Sequence, residues 1–300
     1  MALKSLTKNL VILHLTVFVW GFTGILGKLI SIDAIALVWY RVLIAFIALL
    51  IYFKASKTDI KISQNAFLKL FFTGALVGLH WILFFQSIKL STVSVGLVCL
   101  SSLTLFTAVL EPLFSRKKID VLDVLTGVLI IAGITLIFNF ESRYKLGILS
   151  GLFSALCASI FSIINSKQIQ NRPASIISFY ELAGAWVWIS LYNLITGGFH
   201  DLTFPGSADL IYLLILGIIC TAVAYVAGVS VMKDLSAFKV ALITNLEPVY
   251  GIILAFIFFG KKEQMTTGFY VGASLVLTSI FLHPLLQKYL QKQKDKTRIG

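Results

Sequence analysis

The sequence is short of charge. Asp, Glu, Lys and Arg make up only 13% of its 300 residues, whereas 58% are hydrophobic. Soluble domains carry about a quarter charged residues, so this shortage excludes a water-soluble protein as the class for most of the chain. The mean hydropathy of +0.95 agrees with that exclusion. The composition therefore predicts a membrane protein.

Signatures of enzymes and metal sites are also missing. The chain has no H-E-x-x-H, G-x-S-x-G, Walker or paired-aspartate motif, and its four His are scattered. Cys99, Cys157 and Cys220 each lie inside an apolar run, where a buried thiol is a better interpretation than a disulfide or a metal ligand. We therefore expect no enzymatic activity, no metal and no cofactor.

What the sequence does have is ten apolar runs, each close to the ~20 residues that a bilayer-spanning helix needs. The connections between them are short, so no water-soluble domain is expected. The runs predict an all-α polytopic membrane protein with ten transmembrane helices. They lie near Leu10–Ile30, Ala34–Phe53, Phe67–Ile88, Thr92–Phe114, Val121–Phe140, Leu146–Ser166, Ser175–Ile195, Leu210–Met232, Ala237–Phe259 and Thr267–Leu286.

The net charge of +12 comes from basic residues that lie mostly between the runs. With the N-terminus placed inside, the inner segments hold sixteen Lys and Arg and the outer loops hold five. Such a bias orients membrane proteins with their basic loops in the cytoplasm. We therefore expect both termini in the cytoplasm, contact with the lipid bilayer, and no binding of nucleic acid.

The second half of the sequence repeats the first. Leu90–Lys117 matches Leu235–Lys262 without a gap at a shift of 145 residues, and Trp39-Tyr40-Arg41 matches Phe179-Tyr180-Glu181 at a shift of 140. Each half then holds five helices, an odd number, so the second half must enter the membrane upside down. Inverted repeats of this kind are associated with secondary transporters. The predicted divisions are a first repeat at 1–140, a second, inverted repeat at 141–286 and a basic cytoplasmic tail at 287–300.

Two charges lie at matching positions inside the runs. Arg41 is seven residues into the second run, roughly 10 Å along a helix, and Glu181 is its counterpart in the other half. Charges inside a bilayer are candidates for function. Arg41 suits a substrate carboxylate or phosphate. The open alternative is a structural one, in which Arg41 forms an internal ion pair or caps backbone carbonyls.

Glu247-Pro248 interrupts the ninth run near its middle. Pro248 removes a backbone donor and is expected to kink the helix, while the carboxylate of Glu247 is a candidate proton carrier. Thr244 and Asn245 add polar groups at the same place, where a cavity could open. A kinked structural helix, with Glu247 paired to Arg41 or Lys239, is the open alternative.

Other polar-edged side chains within the runs are candidate substrate contacts, and for each of them packing or a place in the interface belt stays open. Two glycines of the tenth run, Gly268 and Gly272, fit close helix packing, either within one chain or across a homodimer. The candidate contacts are His80, Trp81, Asn165, Tyr180, Tyr225, Asn245 and Tyr250.

The chain resembles the drug/metabolite transporter superfamily, and within it the EamA-type transporters. The resemblance is carried by VFVWGFTGILGKL at 17–29, WYRVLIAFIALL at 39–50, the spacing of small residues and proline in Leu235–Pro248, and Gly127 with Gly272. It implies a carrier in the cytoplasmic (inner) membrane, often an exporter of amino acids or other small metabolites. It also implies a central cavity lined by helices of both halves.

The two halves depart from that pattern in different ways. Leu103 stands in the first half where the second has Pro248, and Arg116-Lys117-Lys118 follows the fourth run where Glu263 follows the ninth. We therefore expect a polar break in the second half alone. If one helix is the moving part, this asymmetry points to the ninth.

These features together predict a secondary transporter that exports a small organic metabolite, such as an amino acid, by alternating access. Arg41 and Glu247 are expected to flank its cavity, and Glu181, Glu247 and Pro248 to serve proton coupling or gating. No loop has the means to hydrolyse ATP, so protons or the substrate gradient are the expected energy source. Lipophilic cations or nucleotide sugars are the alternative substrates, and a non-transport membrane subunit is the alternative class.

Overall fold

The computed structural model describes the backbone of residues 2–115, 121–200, 202 and 204–299, and the side chains in these ranges except at 2–6, 124, 280 and 291–299. The predicted basic segment Arg116-Lys117-Lys118 lies outside the described residues, as do the side chains of Lys4 and of the tail from residue 291. The predicted orientation in the membrane therefore stays a prediction.

The described residues fold into thirteen α-helices and no β-strand, which confirms the predicted all-α class. Ser142–Tyr144 and Gly260–Glu263 are short 3-10 helices, and Ile218–Val223 is a π-helix. The α-helices are α1 (Ala2–Leu29), α2 (Ala34–Ser56), α3 (Gln64–Leu90), α4 (Val93–Leu100), α5 (Leu103–Ser115), α6 (Val121–Phe140), α7 (Lys145–Gln168), α8 (Ala174–Thr196), α9 (Ser207–Gly217), α10 (Ala224–Val231), α11 (Ala237–Thr244), α12 (Leu246–Phe259) and α13 (Thr267–Ile299).

Within the described residues, ten stretches are long and apolar enough to cross a membrane, as the sequence predicts. The first is Thr7–Leu29, against the predicted Leu10–Ile30, and the seventh is Ala174–Thr196, against Ser175–Ile195. Successive spans alternate in direction. We call the side on which α1 begins the near side, and the side on which α1 ends and α4 begins the far side.

The fourth and ninth spans are both broken near their middle. The fourth span stops being helical at Ser101-Ser102, between α4 and α5, and the ninth at Asn245, between α11 and α12. The expectation of a break in the second half alone is therefore wrong. In the first half no proline is needed, because Ser102 Oγ donates to Cys99 O (2.7 Å) and Ser101 Oγ to Leu97 O (3.3 Å). Hydroxyls that bind nearby carbonyls compete with the helical ladder and bend it.

Glycines allow the closest helix contacts. A Cβ on Gly74 of α3 would lie 2.3 Å from Glu181 O of α8, and a Cβ on Gly272 of α13 would lie 2.6 Å from Gly133 O of α6. A Cβ on Gly268 would lie 2.1 Å from the ring of Phe140, also in α6. Both predicted glycines of the tenth run therefore pack within the chain, which leaves this pair of positions closed to a second subunit.

Candidate functional site

A cavity lies between the two broken spans and the first, second, third, sixth and eighth spans. Its lining extends from Trp20 and Arg41, near mid-membrane, to Met232 and Val240, which lie where the eighth span ends and the ninth begins, toward the near side. It holds about 780 Å³ of atom-free space, its open mouth included. Its remaining lining residues are mostly aromatic or apolar, with a few polar groups: Thr23, His80, Trp81, Phe84, Leu100, Leu103, Ala158, Phe161, Ser162, Tyr225, Gly228, Val229, Ala241, Thr244 and Glu247.

Arg41 is the cationic group of the cavity wall. It is 1% exposed, and within the described residues its one hydrogen bond runs from Nε to Thr221 Oγ1 (2.5 Å). Its guanidinium carbon lies 4.2 Å from the centre of the Trp81 ring, a cation–π contact. One terminal nitrogen, Nη1, is buried without a hydrogen-bond partner. The side chain is therefore held on one edge and one face, while its terminal edge is uncompensated.

Glu247 is the anionic group of the same wall. It lies in the first turn of α12 and is 5% exposed. The ion pairs among the described residues involve other groups, so Glu247 is paired with neither Arg41 nor Lys239. A carboxylate in a helix's first turn is favoured by the helix dipole, which partly offsets its burial. The cavity wall thus holds one basic and one acidic side chain that form no ion pair with each other.

His80 offers one nitrogen to the cavity. Its Nδ1 lies 2.8 Å from Ser154 Oγ and 3.0 Å from Ser154 O, on α7. The hydroxyl of Ser154 already donates its hydrogen to His80 O (2.9 Å), and a carbonyl can only accept. Nδ1 must therefore carry the hydrogen. In the neutral imidazole this leaves Nε2 as an acceptor on a residue that lines the cavity.

Glu181 is joined to the cavity through Tyr225. The Tyr225 hydroxyl donates to Glu181 Oε2 (2.7 Å), and Asn165 Nδ2 donates to the same oxygen (3.1 Å). Glu181 and Asn165 are fully buried, whereas the ring of Tyr225 forms part of the cavity wall. Glu181 and Asn165 therefore lie behind the cavity wall and do not line it.

The chain matches the model of the EamA-like transporter family over residues 7–139 and 145–283, nearly its whole length. It belongs to the EamA-like transporter family. An uncharacterised transporter, YxxF, of Bacillus subtilis (strain 168) is 24% identical over 84% of this chain and 82% of its own length. An uncharacterised transporter of Archaeoglobus fulgidus is 23% identical over 92% of this chain and 97% of its own.

The fold also matches a solved structure. A crystal structure of a protein superposes with a TM-score of 0.69 at 15% identity, covering 93% of this chain and 98% of that chain. At that identity the match supports the fold alone. Family membership makes the protein a transporter and a multi-pass membrane protein, so an enzyme is not expected. The relatives' names give no substrate.

Asn245 joins the two helix breaks of this EamA-like transporter. Its Nδ2 donates to Thr104 Oγ1, at the start of α5, and to Ala241 O (2.9 Å). The broken fourth and ninth spans are therefore tied together where both lose their helical ladder. Pro248 is buried three residues beyond the break at Asn245, in the first turn of α12, where a backbone N–H has no helical partner in any case.

Two predicted tyrosines lie away from the cavity. Tyr180 is half-buried at the near side, and its hydroxyl donates to Ile60 O (2.9 Å) in the connection between α2 and α3. Tyr250 packs edge-on against Phe18, with ring centres 5.4 Å apart, and beside Gly21. The structure therefore brings Arg41, His80, Trp81, Tyr225 and Glu247 together but not these two.

Sequence reasoning missed Thr221, the hydrogen-bond partner of Arg41. It lies in the π-helix and has no charge, aromatic ring or motif to single it out. The available signal was a hydroxyl near the middle of the mostly apolar eighth run. Phe161 and Ser162 were missed for the same reason, since each also looks like an ordinary residue of a helix core.

Proposed function

We propose that this transporter carries a small amphoteric metabolite, such as an amino acid, with the carboxylate at Arg41 and the ammonium at Glu247. The observation that carries the proposal is that two opposite charges line one cavity without pairing with each other. Burying a charge without a partner is costly, so both groups gain from a ligand that supplies the opposite charge. A zwitterion supplies both.

The wall between these charges suits an apolar side chain. Trp20, Trp81, Phe84, Phe161 and Tyr225 contribute aromatic surface. Small-molecule sites are typically apolar, with a few polar groups that fix orientation. We therefore favour amino acids with apolar or aromatic side chains over small polar ones.

The transport cycle we propose is alternating access in the cytoplasmic membrane, with the near side in the cytoplasm. The cavity reaches the near side, so this conformation would accept substrate from inside the cell, as an exporter requires. Release of the substrate outside the cell then needs the far side to open and the near side to close. The breaks at Ser101-Ser102 and Asn245 are the places where the fourth and ninth spans can bend.

We propose that transport is coupled to protons because the carboxylate of Glu247 binds either the ammonium of the substrate or a proton. An ammonium and a proton compete for Glu247, so release of the substrate outside frees the carboxylate for a proton, which is given up to water inside. One proton then enters for each substrate that leaves. Glu181, behind Tyr225, is the second proposed proton site.

Reconstitution into liposomes tests the proposal. Exchange of labelled L-amino acids would be compared with that of their primary amides, which lack the carboxylate, and of the corresponding amines. We expect Arg41→Ala to lower the apparent affinity for amino acids by roughly tenfold or more relative to that for the amides. We expect Glu247→Gln to abolish proton-driven accumulation while exchange persists. Lys239→Ala is the control, because Lys239 is exposed and outside the cavity lining.

Other results would refute the assignment. Equal exchange of amino acids, amides and amines by the wild type would show that the cavity does not recognise the carboxylate and the ammonium of an amphoteric substrate. Preference for amines that depends on Glu247 but not on Arg41 would favour lipophilic cations, which the unpaired carboxylate and the aromatic wall could also accept. Wild-type accumulation by Glu247→Gln would exclude Glu247 as the proton site.

A further inference from the structure

We propose that Thr221 is a positioning residue, and that the π-helix Ile218–Val223 presents its hydroxyl so that the guanidinium of Arg41 is held for bidentate binding of a planar anionic group. The inference rests on the proposed function, because it concerns the same Arg41. It adds a residue that does not line the cavity and a reason for the irregular helix of the eighth span.

The single hydrogen of the Thr221 hydroxyl decides which group donates in the Thr221–Arg41 hydrogen bond. Thr221 Oγ1 lies 2.7 Å from Leu216 O and 2.5 Å from Arg41 Nε. A hydroxyl has one hydrogen and a carbonyl can only accept, so that hydrogen goes to Leu216. The lone pairs of Oγ1 are left for Arg41 Nε–H. Thr221 therefore accepts from Arg41 and cannot rotate away without breaking its own bond to the backbone.

The π-helix makes this arrangement possible. In an α-helix a threonine hydroxyl reaches the carbonyl four residues back, as Thr73 does with Lys69 O (2.8 Å). Thr221 instead reaches five residues back, to Leu216, across the widened turn. π-Helical turns are rare and are frequently found at functional sites. Here the extra residue places a buried hydroxyl against the cation of the neighbouring span.

Close packing holds the two spans at that point. A Cβ on Gly217, the residue before the π-helix, would lie 2.7 Å from Ile44 Cγ2 and 3.2 Å from Arg41 O, both on α2. The missing side chain at Gly217 thus lets the eighth span approach the second within one turn of Arg41. This approach is independent of the hydroxyl and points to the same contact.

The remaining contacts of Arg41 define the free edge of its guanidinium. Trp81 lies 4.2 Å from the guanidinium carbon and Phe85 lies 5.4 Å from it, and Thr221 takes Nε. Nη1 is buried and has no partner among the described residues. A guanidinium held by its Nε and by aromatic rings presents its terminal nitrogens as a rigid fork, which matches a carboxylate better than it matches a neutral amide.

The experiment measures ligand-induced stabilisation of the purified full-length protein in detergent. The probes are L-amino acids and their primary amides, and the readout is the ligand concentration that gives half of the maximal rise in melting temperature. The variants are Thr221→Val, which keeps the shape and removes the hydroxyl, and Thr221→Ser, which restores it. Thr73→Val is the matched control, because it removes a buried hydroxyl that is bonded to its own helix and is not among the contacts of Arg41.

We expect Thr221→Val to lower the apparent affinity for the amino acid roughly tenfold and to leave that for the amide unchanged. Thr221→Ser and Thr73→Val should bind both ligands about as well as the wild type does. In liposomes we expect a KM for the amino acid that is higher by the same factor, with an unchanged maximal exchange rate. If the wild type does not distinguish acid from amide, the proposed function fails. If the wild type does distinguish them and Thr221→Val distinguishes them equally well, the positioning role alone fails. Equal weakening of both ligands would also reject it, as a general packing effect.

Discussion

At the scale of single residues, the cluster of Glu181, Asn165 and Tyr225 is short of donors. The hydroxyl hydrogen of Tyr225 and the amide hydrogens of Asn165 are all directed within the cluster. Glu181 Oε1 and Asn165 Oδ1 nevertheless remain buried without a partner. Removing one more donor should therefore be costly, because an unsatisfied buried acceptor loses its hydration without compensation.

We predict that Tyr225→Phe lowers the free energy of unfolding by about 1–3 kcal/mol. In a Glu181→Gln background the same change should cost less, since a neutral amide needs the donor less than a carboxylate does. Thermal unfolding of the two single variants and the double variant in detergent measures the coupling. Tyr192→Phe, at a side chain 51% exposed, is the control. Equal costs in both backgrounds would show that the hydroxyl does not act through Glu181.

His80 gives a second prediction at this scale. An asparagine amide can replace Nδ1–H toward Ser154 but offers nothing in place of Nε2. We therefore expect His80→Asn to keep the wild-type melting temperature and to lose affinity for amino acids, whereas His80→Leu loses both. In the wild type, nitrogen NMR of labelled histidine should show the tautomer with hydrogen on Nδ1, assigned by its loss in His80→Asn. Hydrogen on Nε2 would contradict the geometry at Ser154.

At the scale of helices, the fourth and ninth spans break alike, although only the ninth has a proline close to its break. α11 ends at Thr244, the residue whose carbonyl a proline at 248 leaves without a helical donor, whereas the fourth span breaks at Ser101-Ser102 with no proline nearby. Both breaks have a side-chain donor at the point of interruption. Asn245 in particular bonds to Ala241 O and to Thr104 of the other broken span.

We therefore predict that Pro248→Ala leaves both folding and exchange close to wild type, because the first turn of a helix lacks a partner for that N–H. Asn245→Ala should lower the melting temperature and slow exchange, since it leaves Thr104 Oγ1 and Ala241 O without their donor. Melting curves and exchange rates of the two variants, measured side by side, test this. The opposite ranking would restore the proline as the hinge.

The helices show how far local pattern carries. Ten runs of apolar residues predicted ten spans, because crossing a bilayer sets both length and composition. The charges at Arg41 and Glu247 were found because a charge inside such a run is conspicuous. The first break, the π-helix and the role of Thr221 were not predicted. Each depends on a hydroxyl meeting a carbonyl or a cation from another turn or span, and a serine or threonine in an apolar run carries no sign of that partner.

At the scale of the whole molecule, the two sides of the membrane differ. The cavity reaches the near side, whereas on the far side Glu263 links three elements. Its carboxylate accepts from Val93 N (3.1 Å), Ser94 N (3.0 Å) and Ser94 Oγ (2.8 Å) at the start of α4, and it pairs with Lys28 Nζ (2.9 Å) at the end of α1. Glu263 is 3% exposed. A buried carboxylate with four donors holds the end of α1 and the start of α4 against the 3-10 helix Gly260–Glu263, and the dipole of α4 adds to the attraction.

We expect opening of the far side to separate Glu263 from at least one of these partners, so weakening the contact should populate the conformation that is open to the far side. We predict that Glu263→Gln and Lys28→Met each raise the rate at which a thiol reagent applied to the far side labels Leu97→Cys, by roughly tenfold. Leu97 is fully buried, and its side chain lies where a Cβ on Gly251 of α12 or on Gly24 of α1 would touch it.

The reporter is placed in a chain whose Cys99, Cys157 and Cys220 are replaced by Ala, and a membrane-impermeant reagent is used. Lys261→Met is the matched control, because Lys261 is exposed on the same side and belongs to none of the ion pairs among the described residues. Its labelling rate should equal that of the parent. Unchanged labelling in both Glu263→Gln and Lys28→Met would show that the contact does not hold the far side closed. Faster labelling in Lys261→Met as well would assign the effect to surface charge.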